Sequence, residues 1–298
     1  MTATPPLGRV GVWSSALVLA PAAEMREAAA EIEELGFGAL WMPEGLGTKE
    51  SLSSAALVLS ATRRATVCTG IANVWARDPV AMATGARTLA DAFPGRFLLG
   101  LGVSHRQQVD PRGHRYEKPV AHMRSYLAAM DGAPYHPDPE LPRIPRVLAA
   151  LRRPMLELAQ ECADGAHPYL VTPEHTAMAR DVLGPDRLLC PEQAVLLCDD
   201  SAEARQLARE RTSWYFELGN YPPSLRAQGF TDADLADGGS DRMIDRLVAW
   251  GGVDAIAVRV REHLDAGADH VCIQAIHPSG LRTAIDERVY ELLAPAKG

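Results

Sequence analysis

The chain lacks most of the short signatures by which protein chemistry can be read directly. Its five cysteines, Cys68, Cys162, Cys190, Cys198 and Cys272, include no C-x-x-C pair, which excludes the usual zinc knuckles and dithiol redox motifs. They read as small buried hydrophobes of a reducing compartment. Lysine and arginine total 30 against 38 aspartates and glutamates, a formal charge of -8. No basic cluster rises above that background, so a nucleic-acid partner is not expected. No apolar run approaches the roughly 20 residues that span a bilayer, and residues 1–8 place no basic region ahead of an apolar core, so a cytoplasmic protein without a membrane partner is expected. H-E-x-x-H, a G-x-S-x-G elbow and a carboxylate pair placed for glycoside chemistry are also missing, and no metal is expected. With no protein-borne nucleophile in view, an organic cofactor is the expected source of any difficult step.

What is present is an alternation. The chain has 298 residues, 47% of them apolar, enough for a large core, and it reads as one domain over residues 1–298. Apolar runs predict strands at Val10–Trp13, Ala39–Met42, Thr66–Ile71, Phe97–Leu101, Arg146–Ala149, Pro168–Val171, Ala194–Cys198 and His270–Gln274. Between them, helices are predicted at Ala22–Leu35, Ser51–Ala61, Pro79–Ala92, Val120–Met130, Met155–Ala163, Glu174–Val182, Ala202–Glu217 and Val253–Ala266, with a last helix at Leu281–Leu293. Eight such units in a chain of this length favour an α/β fold closed as a single (β/α)₈ TIM barrel. An open doubly wound sheet is the alternative, but the first strand-to-helix turn, Ser14–Pro21, lacks G-x-G-x-x-G. Two stretches interrupt the repeat. Asp131–Pro145 holds five prolines, and Gly219–Ser240 mixes Tyr, Pro, Gly and Asp. The second marks a loop-rich insertion after strand seven, about 219–252, on the side where it would serve as a lid.

Barrels bind ligands at the carboxyl ends of their strands. Those ends hold Ser14 and Ser15, Glu44 and Gly45, Gly70–Asn73, Gly102–His105, Ala150–Arg153, Thr172–His175, Asp199 and Asp200, and Ile276–Pro278. The segment Gly95–His105 is the clearest, an apolar run that stops in small and then polar residues. Trp13, Trp75, Trp214 and Tyr215 are either a substrate wall or core and dimer contacts, and His277 is either a site residue or part of a turn before Pro278.

Six stretches in order carry a resemblance: Leu40–Gly45, Thr69–Asn73, Gly95–His105, Ala163–Gly165, Val171–His175 and Ala266–Val271. Together they resemble the bacterial luciferase-like superfamily, and within it the oxidoreductases that depend on the deazaflavin coenzyme F420. The resemblance implies a barrel, usually a homodimer, that holds a flavin or deazaflavin at its mouth and moves a hydride through the ring to or from a small-molecule substrate. It implies a bulge after strand three with a non-proline cis bond at Gly70-Ile71, continuing through Ala72 and Asn73. Other cofactor contacts are expected from Ser14, Gly102, Val103 and Ser104, with Ser104 open to a second reading as a helix cap. His105, where a related sugar-phosphate dehydrogenase carries an acid, and Glu44 are the expected catalytic residues, set against a loop histidine and a turn glutamate. Arg152 and Arg153 stand where relatives carry phosphate-binding glycines and are expected to meet cofactor phosphate instead, set against a solvated helix start. Thr172, Glu174 and His175 are expected at the cofactor tail, and Thr172 is expected first as the N-cap before Pro173, a reading compatible with cofactor contact. Gly45 replaces the dehydrogenase's catalytic histidine, which argues against glucose-6-phosphate oxidation. Two alternatives remain, an FMN-dependent monooxygenase with a reductase partner, and a barrel that binds flavin or deazaflavin without catalysis.

Overall fold

Apolar runs form strands here because a strand covered by helices outside and by side chains inside needs no polar face. The computed structural model describes residues 5–138, 140–141, 143–277, 279 and 287–295. Val10–Trp13 (β1) leads into the short helix Ala16–Leu19 (α1) and then Ala22–Glu34 (α2), and Ala39–Met42 (β2) into Ser51–Ala61 (α3). Thr66–Thr69 (β3) and Ala72–Asn73 (β4) flank a break, followed by Pro79–Ala92 (α4), Phe97–Gly102 (β5), Arg106–Val109 (α5) and Pro119–Asp131 (α6). Next come Arg146–Leu148 (β6), Arg153–Cys162 (α7), Gly165–Ala166 (β7), Pro173–Leu183 (α8), Leu188–Leu189 (β8) and Glu192–Leu197 (β9). Ser201–Thr212 (α9) precedes three short helices, Tyr221–Ala227 (α10), Asp232–Leu235 (α11) and Asp241–Leu247 (α12). Val248–Gly251 (β10), Val253–Asp265 (α13), Val271–Ala275 (β11) and Glu287–Leu293 (α14) complete the order.

All strand pairings among the described residues are parallel, in one sheet. The order runs β11-β1-β2-β3-β5-β6-β7-β8, and Cys190-Pro191 then joins β8 to β9, which pairs back onto β11. The sheet therefore closes. Cys190 N–H donates to Ala166 O, Asp269 N–H to Leu189 O and Cys272 N–H to Pro191 O, each at 2.9 Å, across the seam. The strand residues sort by alternation, as the period of two requires. Val12, Leu40, Val67, Leu99, Leu148 and Ile273 pack outward in the main core. Ala39, Trp41, Cys68, Leu98, Val147, Cys190 and Cys272 form a separate inner cluster. Three of the cysteines are thus buried hydrophobes, as read from the sequence. No helix among the described residues is long and apolar enough to cross a membrane.

Helix starts follow local rules. Asp78 caps α4 by accepting from Val80 and Ala81 N–H, with Pro79 in the first turn, and Glu50 and Asp200 cap α3 and α9 in the same way. Several expected boundaries are corrected. Strand six is β7, Gly165–Ala166, and not Pro168–Val171, which leaves the sheet; Pro168 has no N–H for a ladder, and Leu170 turns the chain with φ 56°. A Cβ at Gly165 would stand 2.1 Å from Leu188 O, so the close approach of β7 and β8 requires glycine there. Strand seven starts at Leu188 rather than Ala194 and is interrupted by Pro191. The helix expected over Ala202–Glu217 stops at Thr212, giving way to a 3-10 turn, Ser213–Glu217. The insertion is more regular than a loop, for it carries α10, α11, α12 and β10, a further strand alongside β9. Pro278 and the first six residues of the expected helix Leu281–Leu293 lie outside the described residues.

Gly100 in β5 is another position where the fold admits no side chain, since a Cβ there would lie 1.9 Å from Thr69 O. Gly100→Ala should therefore lower stability by about 3 kcal/mol or more, above the usual overpacking range, whereas Gly219→Ala, whose Cβ would meet nothing within 4 Å, should leave it unchanged. Denaturant midpoints of the two variants check this; equal midpoints would contradict the close approach of β3 and β5.

Candidate active site

The carboxyl ends of the strands surround a cavity of about 520 Å³, within the roughly 300–1,000 Å³ of small-molecule sites. Its floor is the break between β3 and β4. Thr69 ends the first run, the Gly70-Ile71 bond is cis, and pairing resumes with Ala72 opposite Leu101. Three of the polar groups leaving the ladder there find partners on neighbouring elements. Gly70 N–H donates to Met42 O (2.7 Å), Trp13 Nε1–H donates to Gly70 O (3.0 Å), and Glu44 N–H donates to Ile71 O (3.2 Å). Gly102 makes room for this arrangement, because a Cβ on it would lie 2.5 Å from Ile71.

Glu44 lines the cavity, but its carboxylate is committed to the bulge. Oε2 accepts from Asn73 N–H at 2.7 Å, and Oε1 pairs with Arg77, the two side chains being 4% and 10% exposed. The structure thus ties to the bulge a carboxylate that was expected to handle a proton. Asn73 and Ala72 lie behind the lining, buried. Ser14 is also buried, its N–H on Trp41 O (3.0 Å), and the next residue, Ser15, faces the cavity instead.

At the end of β5, Val103, Ser104 and His105 all reach the cavity. Ser104 turns the chain with φ 56°, and α5 takes His105 as its N-cap residue without any side-chain capping bond, so the cap reading of Ser104 does not hold. His105 Nδ1 lies 2.9 Å from Asn220 Oδ1, and its ring tilts against Tyr221 at 5.6 Å. An amide oxygen only accepts, so Nδ1 carries the hydrogen and Nε2 keeps a lone pair. Burial holds the imidazole below its ordinary pKa, against a smaller opposing effect of the Asn220 bond. Asn220 escaped the sequence reading because it comes from the insertion, 115 residues away.

Arg152 lines the cavity beside Tyr116, whose hydroxyl burial pushes up and the charges of Arg152 and Arg106 pull back. Arg153, by contrast, is exposed and 3.5 Å from Glu157 on its own helix. The strand-six residues do not reach the cavity. Thr172 caps α8 by accepting from His175 N–H at 3.4 Å, Glu174 pairs with Arg246 on the surface, and His175 is buried with Nε2 2.8 Å from Leu151 O. The expected cap at Thr172 is thus present. In their place stand residues not singled out as contacts, namely His167, Tyr169, Arg211 and Tyr221, together with Trp13, Trp214 and Tyr215 from the undecided aromatic set. Trp75 instead stacks on His122 at 3.7 Å. His167 Nδ1 lies 2.7 Å from Cys190 O and must donate to it, leaving Nε2 a buried acceptor without a protein partner. Burial pushes this histidine down to about 4, so it is neutral. Among the described residues no group of His, Cys, Asp and Glu is arranged to hold a metal ion.

The family model for luciferase-like monooxygenases matches residues 6–270. The chain belongs to the luciferase-like monooxygenase family. Relatives within reach include a putative coenzyme F420-dependent oxidoreductase of Mycobacterium tuberculosis, 33% identical over 120 residues that cover 40% of this chain and 33% of that one. A 5,10-methylenetetrahydromethanopterin reductase of Methanolobus tindarius is 22% identical over 280 residues, 80% of this chain and 86% of the relative. Among solved structures, the coenzyme F420-dependent tetrahydromethanopterin reductase of Methanopyrus kandleri superposes with a TM-score of 0.76 at 16% identity, covering 98% of each chain. The luciferase-like resemblance read from six short motifs is thus the family itself, and the chain is an enzyme of that family.

The commitment of Glu44 to Arg77 and Asn73 makes a definite expectation. Glu44→Gln leaves Arg77 with only the half-exposed Glu50, 2.6 Å away, as a counter-charge, which costs about 1 kcal/mol or more, and should lower the thermal midpoint while perturbing the bulge. A variant as stable as the parent would show that the ion pair is not what holds Gly70 and Ile71 in place.

Proposed function

We propose that the cavity is where a hydride passes between the deazaflavin coenzyme F420 and a small organic substrate. The observation that carries this reading is the pairing of the Gly70-Ile71 floor with a neutral, oriented His105 at the rim of the same cavity. The relatives' F420 dependence supports it. The floor suits a flat ring: Gly70 has no room for a Cβ, which would stand 2.7 Å from Trp13, and the orphan Nε2 of His167 offers a buried acceptor for a ring N–H. Gly70, Ile71, Val103 and Ser104 would hold the ring, and Arg152 would meet tail phosphate by charge-assisted bonds. When bound, the coenzyme donates or accepts the hydride.

The chain's own part is proton handling and exclusion of water. Asn220 fixes the His105 tautomer, so Nε2 is a base for an alcohol proton when hydride leaves the substrate and, once protonated, an acid when hydride arrives. Burial favours the neutral ring, which keeps that base available at neutral pH and below.

The first test is titration with oxidised F420 and, separately, FMN. Tight deazaflavin binding with weak FMN binding is expected; the reverse would establish the FMN monooxygenase reading. With the coenzyme identified, His105→Ala should cut hydride-linked turnover roughly 100-fold while coenzyme affinity changes by only a few fold. Because the folded-state pKa of His105 is lowered, the acidic limb of the parent's kcat/KM profile should fall below pH 6.5, and it should vanish in His105→Ala. Unchanged turnover in the variant, or a limb above 6.5, would remove His105 from the mechanism.

A further inference from the structure

One wall of the cavity carries a polar cluster that hydride transfer as described leaves unused. Trp13, Tyr169, Tyr215 and Tyr221 form a continuous aromatic surface, with successive ring centroids 5.3, 5.2 and 4.9 Å apart. Arg211, from the last turn of α9, lines the same cavity. The Gln274 amide is satisfied with its oxygen accepting from Arg211 Nη2 at 2.6 Å and its nitrogen donating to Glu192 Oε1 at 2.9 Å and to the Tyr169 hydroxyl at 2.8 Å. The Tyr215 and Tyr169 hydroxyls lie 2.8 Å apart. Arg211 Nη1 is buried and has no hydrogen-bond partner.

The charges do not balance locally. Arg211 reaches its nearest carboxylate only through the Gln274 amide, and among the described residues no acid forms an ion pair with it. Glu192 is 1% exposed, and burial pushes its carboxyl up to about 7, against the Leu170 N–H bond and the charge of Arg211. Burial thus works against its charged form, and it makes no direct ion pair with Arg211. A guanidinium held against an apolar cavity with a spare donor favours an anionic oxygen, and its planar fork matches a carboxylate. A flat unsaturated body suits the aromatic surface beside it.

We propose that the cavity takes a planar, unsaturated carboxylate, its carboxylate pairing with Arg211 and its body lying on the Trp13–Tyr169–Tyr215–Tyr221 surface. This names the substrate class of the cavity assigned above to hydride transfer and rests on that assignment. Binding is measured without coenzyme, by titrating the protein with cinnamate and with its neutral isostere cinnamamide and following tryptophan fluorescence. Cinnamate should bind at least tenfold more tightly than cinnamamide. Arg211→Gln should abolish the preference, Arg211→Lys should retain part of it, and Arg152→Gln should leave it in place. Equal affinities in the parent overturn the proposal without recourse to any variant. So does a preference that survives Arg211→Gln or disappears in Arg152→Gln. Deazaflavin binding is scored separately, so a failed coenzyme titration and a failed carboxylate preference are told apart.

Discussion

The cavity depends on one buried carboxylate. A parallel strand has no intrinsic reason to leave its ladder, and each N–H or C=O that does so must be satisfied elsewhere. Between β3 and β4, Glu44 meets that demand twice, with its own N–H on Ile71 O and its Oε2 on Asn73 N–H. A carboxylate at 4% exposure needs a counter-charge, and Arg77 provides it from the segment just beyond the bulge. Trp13 completes the arrangement by donating to Gly70 O from β1. Three strands and an ion pair thus fix a floor that no single local signal specifies.

The rest of the cavity is set by what burial does to charge. His105 and His167 are both held neutral, and Glu44 is neutralised by Arg77. What remains facing the cavity is cationic, Arg152 on one element and Arg211 on another. The chain as a whole carries a formal charge of -8, so the cavity is a local reversal of sign, where low-dielectric walls concentrate the field. Two separated guanidiniums suit two anionic groups better than one, which is why coenzyme phosphate and substrate carboxylate are assigned to different arginines.

Much of the barrel was legible because a strand buried on both faces shows itself as an uninterrupted apolar run. Val10–Trp13, Ala39–Met42 and Phe97–Leu101 lie within a residue of the observed strands. Gly165–Ala166 was not legible, since glycine in a strand resembles a turn unless the contact with Leu188 is known. The cis bond at Gly70-Ile71 and the cavity positions of Val103, Ser104, His105 and Arg152 followed from the family resemblance. The bulge's partners did not, because Trp13, Glu44 and Arg77 are separated along the chain and meet only in the closed sheet. Arg211 was hidden differently. It shares α9 with Arg205 and Arg209, which pair outward with Asp245 and Asp241. Only the rotation of the helix, fixed by the buried Ala204, Ala208 and Thr212, turns the third arginine inward.

The insertion changes character once its contacts are known. A lid closes over a site already complete, but here the segment after α9 supplies parts of the site. Asn220 sets the tautomer of His105, and Tyr221 packs between His105 and Tyr215. As the residue before α10, Asn220 makes no capping bond to that helix, which leaves its amide for the imidazole. The same short stretch therefore controls two properties at once: which nitrogen of His105 holds a lone pair, and how far the aromatic wall extends beside Arg211. Variation in this segment can alter proton handling and substrate shape together without disturbing the Glu44-held floor.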